Sequence, residues 1–560
     1  MRKLSGRIWA VSLAWPIVAA LAGGGVITAC TDTKYDTTVV EVERPVFNQP
    51  ADSVNGFLGL YNVADDQTTC GNCHADYQGT WVQTKHATAW ADLEASGHAN
   101  DSCRPCHTVS ELGNALEEPA GWSTTQDTTY HNVQCESCHG PGRTHLESVL
   151  SGNVIKPLAS IAVDTLGTNG CAGCHQQAHH PFLEEWKVSK HGFGGDAYIA
   201  EGSRDPCKQC HEGRAAIRVP MSGLDPRPTQ TGGDMTEFVE STPDDNYQPI
   251  VCAVCHDPHD ATNEGQLRAP LEESSREQLC VRCHSRESEP EPGVATRRGP
   301  HAAQGAVVVD EEAGWLPPTW PYTGRVVGSH TTANPRQCAA CHVAGFTINA
   351  ADSTTFIKNY VGHTFQAAAC IDASTGEPIV GGECEVTQRD FRACATSGCH
   401  GSADAARTAF VVVQKRMDVL TDILWTDDGD AVLERTDGGL LPQILGQAID
   451  AGNLNEINLY DNNPEVTPAE GALYNAQLAA TSNRPYWLSF TVSGQKSCTP
   501  QATCNSQNGS NSGHMSSAEG VHNPFLLEAL LLESIDYLRT YYNLSAPPAE
   551  LMKPQYSAAK

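Results

Sequence analysis

A cysteine–histidine motif that recurs nine times between Cys70 and His400 constrains the fold more than any other feature of this sequence. Eight copies read Cys-x-x-Cys-His, a spacing that lets two thiols form thioethers to one haem while the adjacent imidazole binds its iron. The cysteines of the nine motifs are Cys70 and Cys73, Cys103 and Cys106, Cys135 and Cys138, Cys171 and Cys174, Cys207 and Cys210, Cys252 and Cys255, Cys280 and Cys283, Cys338 and Cys341, and Cys394 and Cys399. The histidines that follow them are His74, His107, His139, His175, His211, His256, His284, His342 and His400. The pattern predicts haems attached covalently along the chain.

These motifs follow one another too closely for each to have an apolar core of its own. The haems themselves must therefore form much of the interior, as expected of a multihaem c-type cytochrome. The sequence contains 49 glycines and 33 prolines, which favours loops over long regular elements. We predict a mainly α fold with extensive loops, a core built of haem and a helical C-terminal region.

The ninth motif is longer than the others, with four residues between Cys394 and Cys399. Because His400 follows directly, we interpret it as a ninth haem site. The four cysteines outside the motifs and the N-terminal region form two close pairs, which predicts two disulfides in an oxidising compartment. They are Cys370, Cys384, Cys498 and Cys504. Alternatively, Cys394 and Cys399 form disulfides with Cys370 and Cys384, which would leave eight haems.

The N-terminus has the pattern of an exported protein. A basic start precedes a mostly apolar stretch over residues 8–27, which Pro16 interrupts, so a signal peptide is favoured over a membrane-spanning helix. Residues 27–30 resemble a bacterial lipobox, which predicts lipidation of Cys30; the alternative is an ordinary cleaved signal beside a bystander cysteine. Two or three acyl chains on Cys30 would anchor the protein stably to a membrane. The non-acidic Thr31 favours the outer membrane and leaves its periplasmic and cell-surface faces as alternatives.

An internal repeat suggests how the chain is divided. A Trp-x-x-Thr/Ser-x-His segment ends at His86 between the first two motifs and again at His191 between the fourth and fifth. The predicted organisation is a signal peptide (residues 1–29), an acidic flexible tether (30–66), a three-haem module (67–150), a second three-haem module (151–265), an irregular three-haem region (266–400) and a helical haem-free region (401–560).

These repeated segments, together with Cys-Glu-Ser-Cys-His-Gly-Pro-Gly-x-x-His ending at His145, resemble the tetrahaem cytochrome c of the hydroxylamine-oxidation pathway. Its relatives among the cytochromes of extracellular electron transfer share them. The resemblance covers about residues 70–265 and implies that His86, His145 and His191 are distal axial ligands in a packed electron relay. The nine motifs and the lipobox depart from that family, so its redox partner is not implied.

Histidines outside the motifs are numerous enough to give every iron a second axial ligand, since nine of the 22 histidines lie in motifs. We predict distal ligands at His86, His145, His191, His259, His301, His330 and His522. A second group of candidates comprises His98, His131, His363 and one of His179 and His180, and we expect His514 to face solvent.

The C-terminal region shows helical patterns over residues 405–425, 467–480 and 524–542. In the second, Thr467, Pro468 and Glu470 are typical of a capped helix start. His522 lies in a Gly-x-His-Asn-Pro segment. This segment resembles those of large multihaem cytochromes in which the histidine binds a haem at the start of a helix. The alternative is a plain helix cap with a surface histidine.

A formal net charge of -30 excludes a nucleic-acid partner, because phosphates need a basic surface. Other redox proteins or extracellular electron acceptors are the expected partners. We predict an electron relay of bis-histidine haems. The alternatives are a reductase of nitrogen or sulfur oxyanions with one five-coordinate haem, and a subunit of a conductive haem filament. The absence of a Cys-x-x-Cys-Lys motif disfavours the reductase.

Overall fold

The computed structural model describes residues 56–157, 170–224 and 247–556. Gaps within these ranges are residues 115, 117, 196, 201–204, 274, 287, 291–298, 310–312, 373, 380–383, 397–399, 427, 429–432, 458–464 and 482–519. The predicted signal peptide, Cys30, Cys399, the Cys498–Cys504 pair and His514 lie outside the described residues, so the expectations about them stay predictions.

The described chain is rich in short helices, with few strands and many loops. In the motif region the α-helices are α1 (Ala75–Trp81), α2 (Ala89–Ala95), α3 (Arg104–His107), α4 (Trp122–Thr125), α5 (Cys135–His139), α6 (Arg143–Ser151), α7 (Phe182–Val188), α8 (Ala197–Ala200), α9 (Asp205–His211), α10 (Gly213–Arg218), α11 (Cys252–Cys255), α12 (Gln304–Val309), α13 (Ser329–Ala333), α14 (Cys338–His342) and α15 (Arg392–Thr396). Short 3-10 turns cover Val63–Asp65, Cys70–Asn72, Thr128–Tyr130, Gly170–Gly173, Pro220–Ser222, Glu264–Gln266 and Leu454–Glu456. This agrees with the predicted mainly α, loop-rich fold.

Two small antiparallel ribbons complete the regular structure. Strand β1 (Leu60–Asn62) pairs with β2 (Gln67–Thr68), and β3 (Phe346–Asn349) pairs with β4 (Phe356–Tyr360). In the second ribbon Phe346 lies opposite Tyr360, and a bulge follows Ile348. Neither ribbon was predicted from the sequence.

The end of the expected flexible tether is ordered. Phe57 and Leu58 are buried, and β1 follows them. The buried carboxylate of Glu136 accepts hydrogen bonds from the backbone N–H groups of Leu58 (2.9 Å) and Gly59 (2.7 Å). Residues 56–66 therefore belong to the folded body, because a buried acceptor and an apolar pocket offset the entropy of ordering them.

The C-terminal region contains the largest apolar core of the described residues. It is built on α16 (Ala403–Leu424), α17 (Leu440–Ala451), α18 (Pro468–Ala479) and α19 (Pro524–Tyr541), and α18 packs closely on α19. Three of these helices confirm the predicted ones within two residues. The apolar face of α16 is buried at Val413, Met417, Leu420 and Leu424.

Local signals explain why these helices start where they do. The Thr467 hydroxyl accepts from the Glu470 N–H, and the Glu470 carboxylate accepts from the Thr467 N–H (2.9 Å), which completes the predicted capping box. Asn523 caps α19 by accepting from the Leu526 N–H (3.1 Å).

A buried ion pair fastens the chain's C-terminal end to this core. The Arg416 guanidinium donates to the Glu528 carboxylate (2.7 Å), and both side chains are almost fully buried. Arg416 also donates to the carbonyls of Leu551 and Lys553, while Glu528 accepts from the N–H of Tyr556 (2.7 Å). These extra hydrogen bonds compensate the desolvation that a buried pair incurs.

Around the motifs the apolar clusters are smaller. One contains Trp186, Val254 and Leu279, and another contains Phe57, Trp90 and Tyr130. Clusters of this size agree with an interior that covalent groups complete.

The predicted bond between Cys370 and Cys384 is present as a disulfide, and Cys394 takes no part in it. Within the described ranges we find no helix whose length and hydropathy would let it cross a bilayer.

Candidate haem-binding sites

Most motifs fold as a single helical turn. In four motifs the backbone N–H of the histidine donates to the carbonyl of the first cysteine of the same motif. These histidines are His74 (3.0 Å), His175 (2.9 Å), His256 (2.9 Å) and His284 (2.9 Å). A helical turn places the first and second cysteines on one face, because residues three apart are neighbours. None of the motif cysteines that the structure describes forms a disulfide. The local structure therefore offers two thiols and an imidazole to the same group.

Eight motif histidines face a second histidine from elsewhere in the chain. The ring centres are 6.0–6.4 Å apart in His74 with His145, His139 with His259, His175 with His86, His211 with His301, His256 with His363, His284 with His191, His342 with His522 and His400 with His330. All seven histidines predicted above as distal ligands are among these partners. The eighth partner, His363, belongs to the second group of candidates.

This spacing fits one iron between each pair of rings. Two imidazole nitrogens that each lie about 2.0 Å from a shared metal are about 4 Å apart, and the two ring radii bring the ring centres to about 6 Å. A direct hydrogen bond between the rings would need a nitrogen–nitrogen distance of only about 3 Å. The paired side chains therefore fit the group that the motifs predict.

The second motif has a candidate partner in His180. The His180 ring centre lies 6.5 Å from that of His175 in the fourth motif, and burial, followed by the charges of His107 and His179, lowers the pKa of His180. The His107 Nδ1 donates to the Ala89 carbonyl (2.9 Å).

The other second-group candidates lie elsewhere. His98 is exposed, and His179 stacks on Phe356 at 4.8 Å. The His131 ring packs against both Trp90 (4.4 Å) and Trp122 (4.7 Å), which also contact each other. Among the residues that the structure describes, the ring contacts found for these three histidines involve no motif histidine.

Burial keeps several paired rings in the neutral form that binds metal. Desolvation lowers the pKa of His191 to about 3, and that of His175 and His363 to about 4, with neighbouring histidines contributing. These imidazoles are unprotonated at neutral pH, as a metal ligand must be.

Backbone carbonyls orient many of the rings. With its proton on Nδ1, a ring can donate to a carbonyl and leave Nε2 for the metal. Such contacts join His107 to Ala89, His145 to Ile155, His256 to Gly265, His330 to Val521, His342 to Phe365 and His363 to Val361, over 2.6–3.1 Å.

His259 differs from these rings, because its Nδ1 lies 3.1 Å from a carboxylate oxygen of Asp257. The hydrogen bond from His259, reinforced by the charge of Arg268, lowers the pKa of Asp257 to about 2. Asp257 is therefore ionised at neutral pH.

A buried carboxylate also holds His363 opposite His256. Glu185 accepts from the backbone N–H groups of Val361 (2.8 Å) and His363 (2.7 Å) and is 1% exposed. No local sequence signal identified this contact, since about 180 residues separate its partners.

Several ring pairs cross the predicted module boundaries. His86 of the first module faces His175 of the second, and His259 of the second faces His139 of the first. The structure thus connects the two segments through shared histidine pairs.

Neighbouring motifs also approach one another at their cysteines. The thiols lie close enough to interact electrostatically in the pairs Cys70 with Cys135, Cys106 with Cys174, Cys171 with Cys252, Cys210 with Cys283 and Cys280 with Cys338. Electrostatic contacts add Cys138 with Cys171 and Cys255 with Cys283, and α14 lies against α15. In space the motifs run first, third, fourth, sixth, seventh, eighth and ninth, with the second beside the fourth and the fifth beside the seventh.

Comparisons with known proteins agree with these sites. Residues 69–140 match the family described as cytochrome c554 and c-prime, and residues 248–289 match the doubled CXXCH motif. The multiheme cytochrome MtrA of Shewanella baltica (strain OS185) is 24% identical over 279 residues, which is 49% of this chain and 75% of the relative. No solved structure matches the chain.

Proposed function

We propose that this multihaem c-type cytochrome relays electrons through nine haems, each held by a histidine on either face, while a lipid on Cys30 anchors it to the outer membrane. The matched cytochrome families support electron transfer through several haems. Bound haem supplies one-electron oxidation and reduction at iron.

The paired histidines are the observation that carries this function. When imidazoles occupy both axial positions, substrate has no open position at the metal, so the site exchanges electrons and does little else. The backbone carbonyls that accept from the rings hold them in place, which limits rearrangement between oxidation states. This arrangement favours a carrier over an enzyme with its own substrate.

The contacts between motifs support a continuous route. Thiols of neighbouring motifs that lie close together bring their attachment points together, and the series runs from the first motif to the ninth with two side branches. The ends of this series are the expected points of exchange with other redox proteins or extracellular acceptors.

The lipobox that ends at Cys30 supports the membrane anchor, and the non-acidic Thr31 favours the outer membrane. Radiolabelled palmitate incorporation that disappears in the Cys30→Ala variant would support lipidation. Equal labelling of both proteins would contradict it.

Haem counting by the pyridine haemochrome assay, combined with low-temperature electron paramagnetic resonance of the oxidised protein, tests the relay. We expect nine haems, all low-spin. One high-spin iron would favour the reductase alternative, and substrate screening would follow. Eight haems would show that Cys394 and Cys399 do not attach a haem.

A further inference from the structure

Just after the sixth motif, a histidine ring has a carboxylate as its hydrogen-bond acceptor, where other paired rings have a backbone carbonyl. The segment reads Cys255-His256-Asp257-Pro258-His259, and His259 faces His139 of the third motif at 6.1 Å. In the carbonyl-bonded rings described above, Nδ1 meets a neutral oxygen. The His259 Nδ1 instead meets Oδ1 of Asp257 at 3.1 Å.

The carboxylate of Asp257 is held from three directions. Its Oδ1 also accepts from the backbone N–H of His259 (3.0 Å), and its Oδ2 accepts from Arg268 (2.7 Å). The Arg268 Nε donates in turn to the Ala253 carbonyl (2.8 Å). Because these bonds fix both oxygens, Asp257 cannot easily turn away from the His259 ring.

A carboxylate changes an axial imidazole more than a carbonyl does. Hydrogen bonds to an ionised acceptor are stronger, and they shift the ring toward imidazolate, which makes its metal-binding nitrogen more basic. A more basic ligand stabilises ferric iron relative to ferrous iron, so the midpoint potential falls. Arg268 withdraws part of the negative charge and limits this effect.

We propose that Asp257 is a tuning residue that lowers the midpoint potential of the haem held between His139 and His259. This inference rests on the proposed axial pairing of those two histidines. The third motif lies between the first and the fourth in the series of neighbouring motifs. Asp257 therefore places a step of higher energy for the electron between the first haem and the rest of the relay.

The test is a spectroelectrochemical titration of the full-length holoprotein carrying Asp257→Asn, which keeps the shape of the side chain and removes its charge. We expect one midpoint potential to move to a more positive value while the others stay. The haem count remains nine, every iron stays low-spin, and the g-values of one low-spin signal change as imidazolate character is lost.

Two matched variants separate tuning from general surface charge. Asp260, three residues further on, accepts from the Thr262 N–H (2.9 Å) and hydroxyl (2.7 Å). We expect Asp260→Asn to leave all midpoints unchanged. Arg268→Gln removes the charge that offsets Asp257, so the same midpoint should move to a more negative value.

Unchanged midpoints in Asp257→Asn, with all irons low-spin, would overturn the tuning role and leave the relay standing. An equal shift in Asp260→Asn would overturn it as well, and so would a high-spin iron in Asp257→Asn, because Asp257 would then only position His259. If the Asp257→Asn protein does not assemble, the Arg268→Gln variant tests the tuning role. A midpoint potential that moves to a more negative value supports this role, and an unchanged midpoint potential overturns it. A high-spin third haem in the unaltered protein would instead contradict the proposed function.

Discussion

At the scale of single residues, the histidines outside the motifs determine what this chain can do. A ring centre about 6 Å from a motif histidine marks a candidate axial ligand, and burial keeps rings such as His191 neutral. The distinction between an electron carrier and a reductase therefore depends on individual side chains.

Replacing His522 by alanine should convert one haem from low-spin to high-spin, because His522 is the ring that faces His342 at 6.1 Å. Haem attachment through Cys338 and Cys341 does not need His522, so nine haems should remain. Electron paramagnetic resonance of the oxidised protein measures the change. The matched control is His179→Ala, which removes a ring stacked on Phe356 and should leave every iron low-spin. A fully low-spin His522→Ala protein would contradict the assignment.

Glu136 should make the stability of the protein depend on pH. Burial raises the pKa of its carboxyl to about 7, above the usual 4.5. Because the folded-state pKa lies above the unfolded value, the protonated Glu136 contributes to the free energy of unfolding. This contribution is full below about pH 4.5 and is lost as the pH rises through 7, and it amounts to about 3 kcal/mol at most. Urea unfolding at several pH values should show this decline and a smaller decline in Glu136→Gln.

Glu147 provides the control for this prediction, because its side chain is 65% exposed. Glu147→Gln should follow the unaltered protein at every pH. Parallel declines in Glu136→Gln and the unaltered protein would show that Glu136 is not responsible.

At the scale of elements, the start of α19 links the helical region to the last haem sites. Val521 offers its carbonyl to the His330 Nδ1 (2.6 Å), and His522 faces His342. Asn523 then caps the helix and donates to the carbonyls of Val307 and Val326. Three consecutive residues thus connect the eighth and ninth motifs to the helical core.

Asn523→Ala should lower the free energy of unfolding by about 1–2 kcal/mol from the lost cap, with a further loss from two unpaired carbonyls. Chemical denaturation followed by tryptophan fluorescence measures it. Ser402 caps α16 at an exposed position, by accepting from the Ala405 N–H (3.1 Å), so Ser402→Ala serves as the comparison and should cost less. An equal or smaller loss in Asn523→Ala would contradict the linking role.

Helix prediction from this sequence succeeded where local signals were complete. The capping box at Thr467 and the Asn–Pro start at Asn523 specify where α18 and α19 begin. Helix α17 (Leu440–Ala451) was not predicted, although Leu441, Leu445 and Ala448 follow a helical spacing; Gly439 and Pro442 at its start are residue types more common in loops. Proline is tolerated there because it lies in the first turn.

At the scale of the whole molecule, the number of haems depends on the ninth motif. The Cys370–Cys384 disulfide uses the two cysteines that could otherwise have paired with Cys394 and Cys399. His400 faces His330 at 6.2 Å, as the other motif histidines face their partners.

Replacing both Cys394 and Cys399 by alanine should reduce the haem count from nine to eight, because the thioethers of that site can no longer form. Pyridine haemochrome absorbance per protein, together with intact mass, measures the count. Replacing Cys370 and Cys384 by serine should leave nine haems and lower stability by about 2–3 kcal/mol, as for a short disulfide loop. A count that stays the same in the first variant would show that the ninth motif binds no haem.

The sequence by itself determined the class of protein, the attachment sites and the strongest helices, because each depends on residues close together in the chain. Thioether spacing is contained within five residues, and a capping box within four. Tertiary structure decided which histidine faces which motif, how Glu185 holds His363, and that Asp257 lies against His259 within reach of Arg268. Most of these partners are far apart in the chain, and their meeting depends on how the loops pack around one another, which no local pattern encodes.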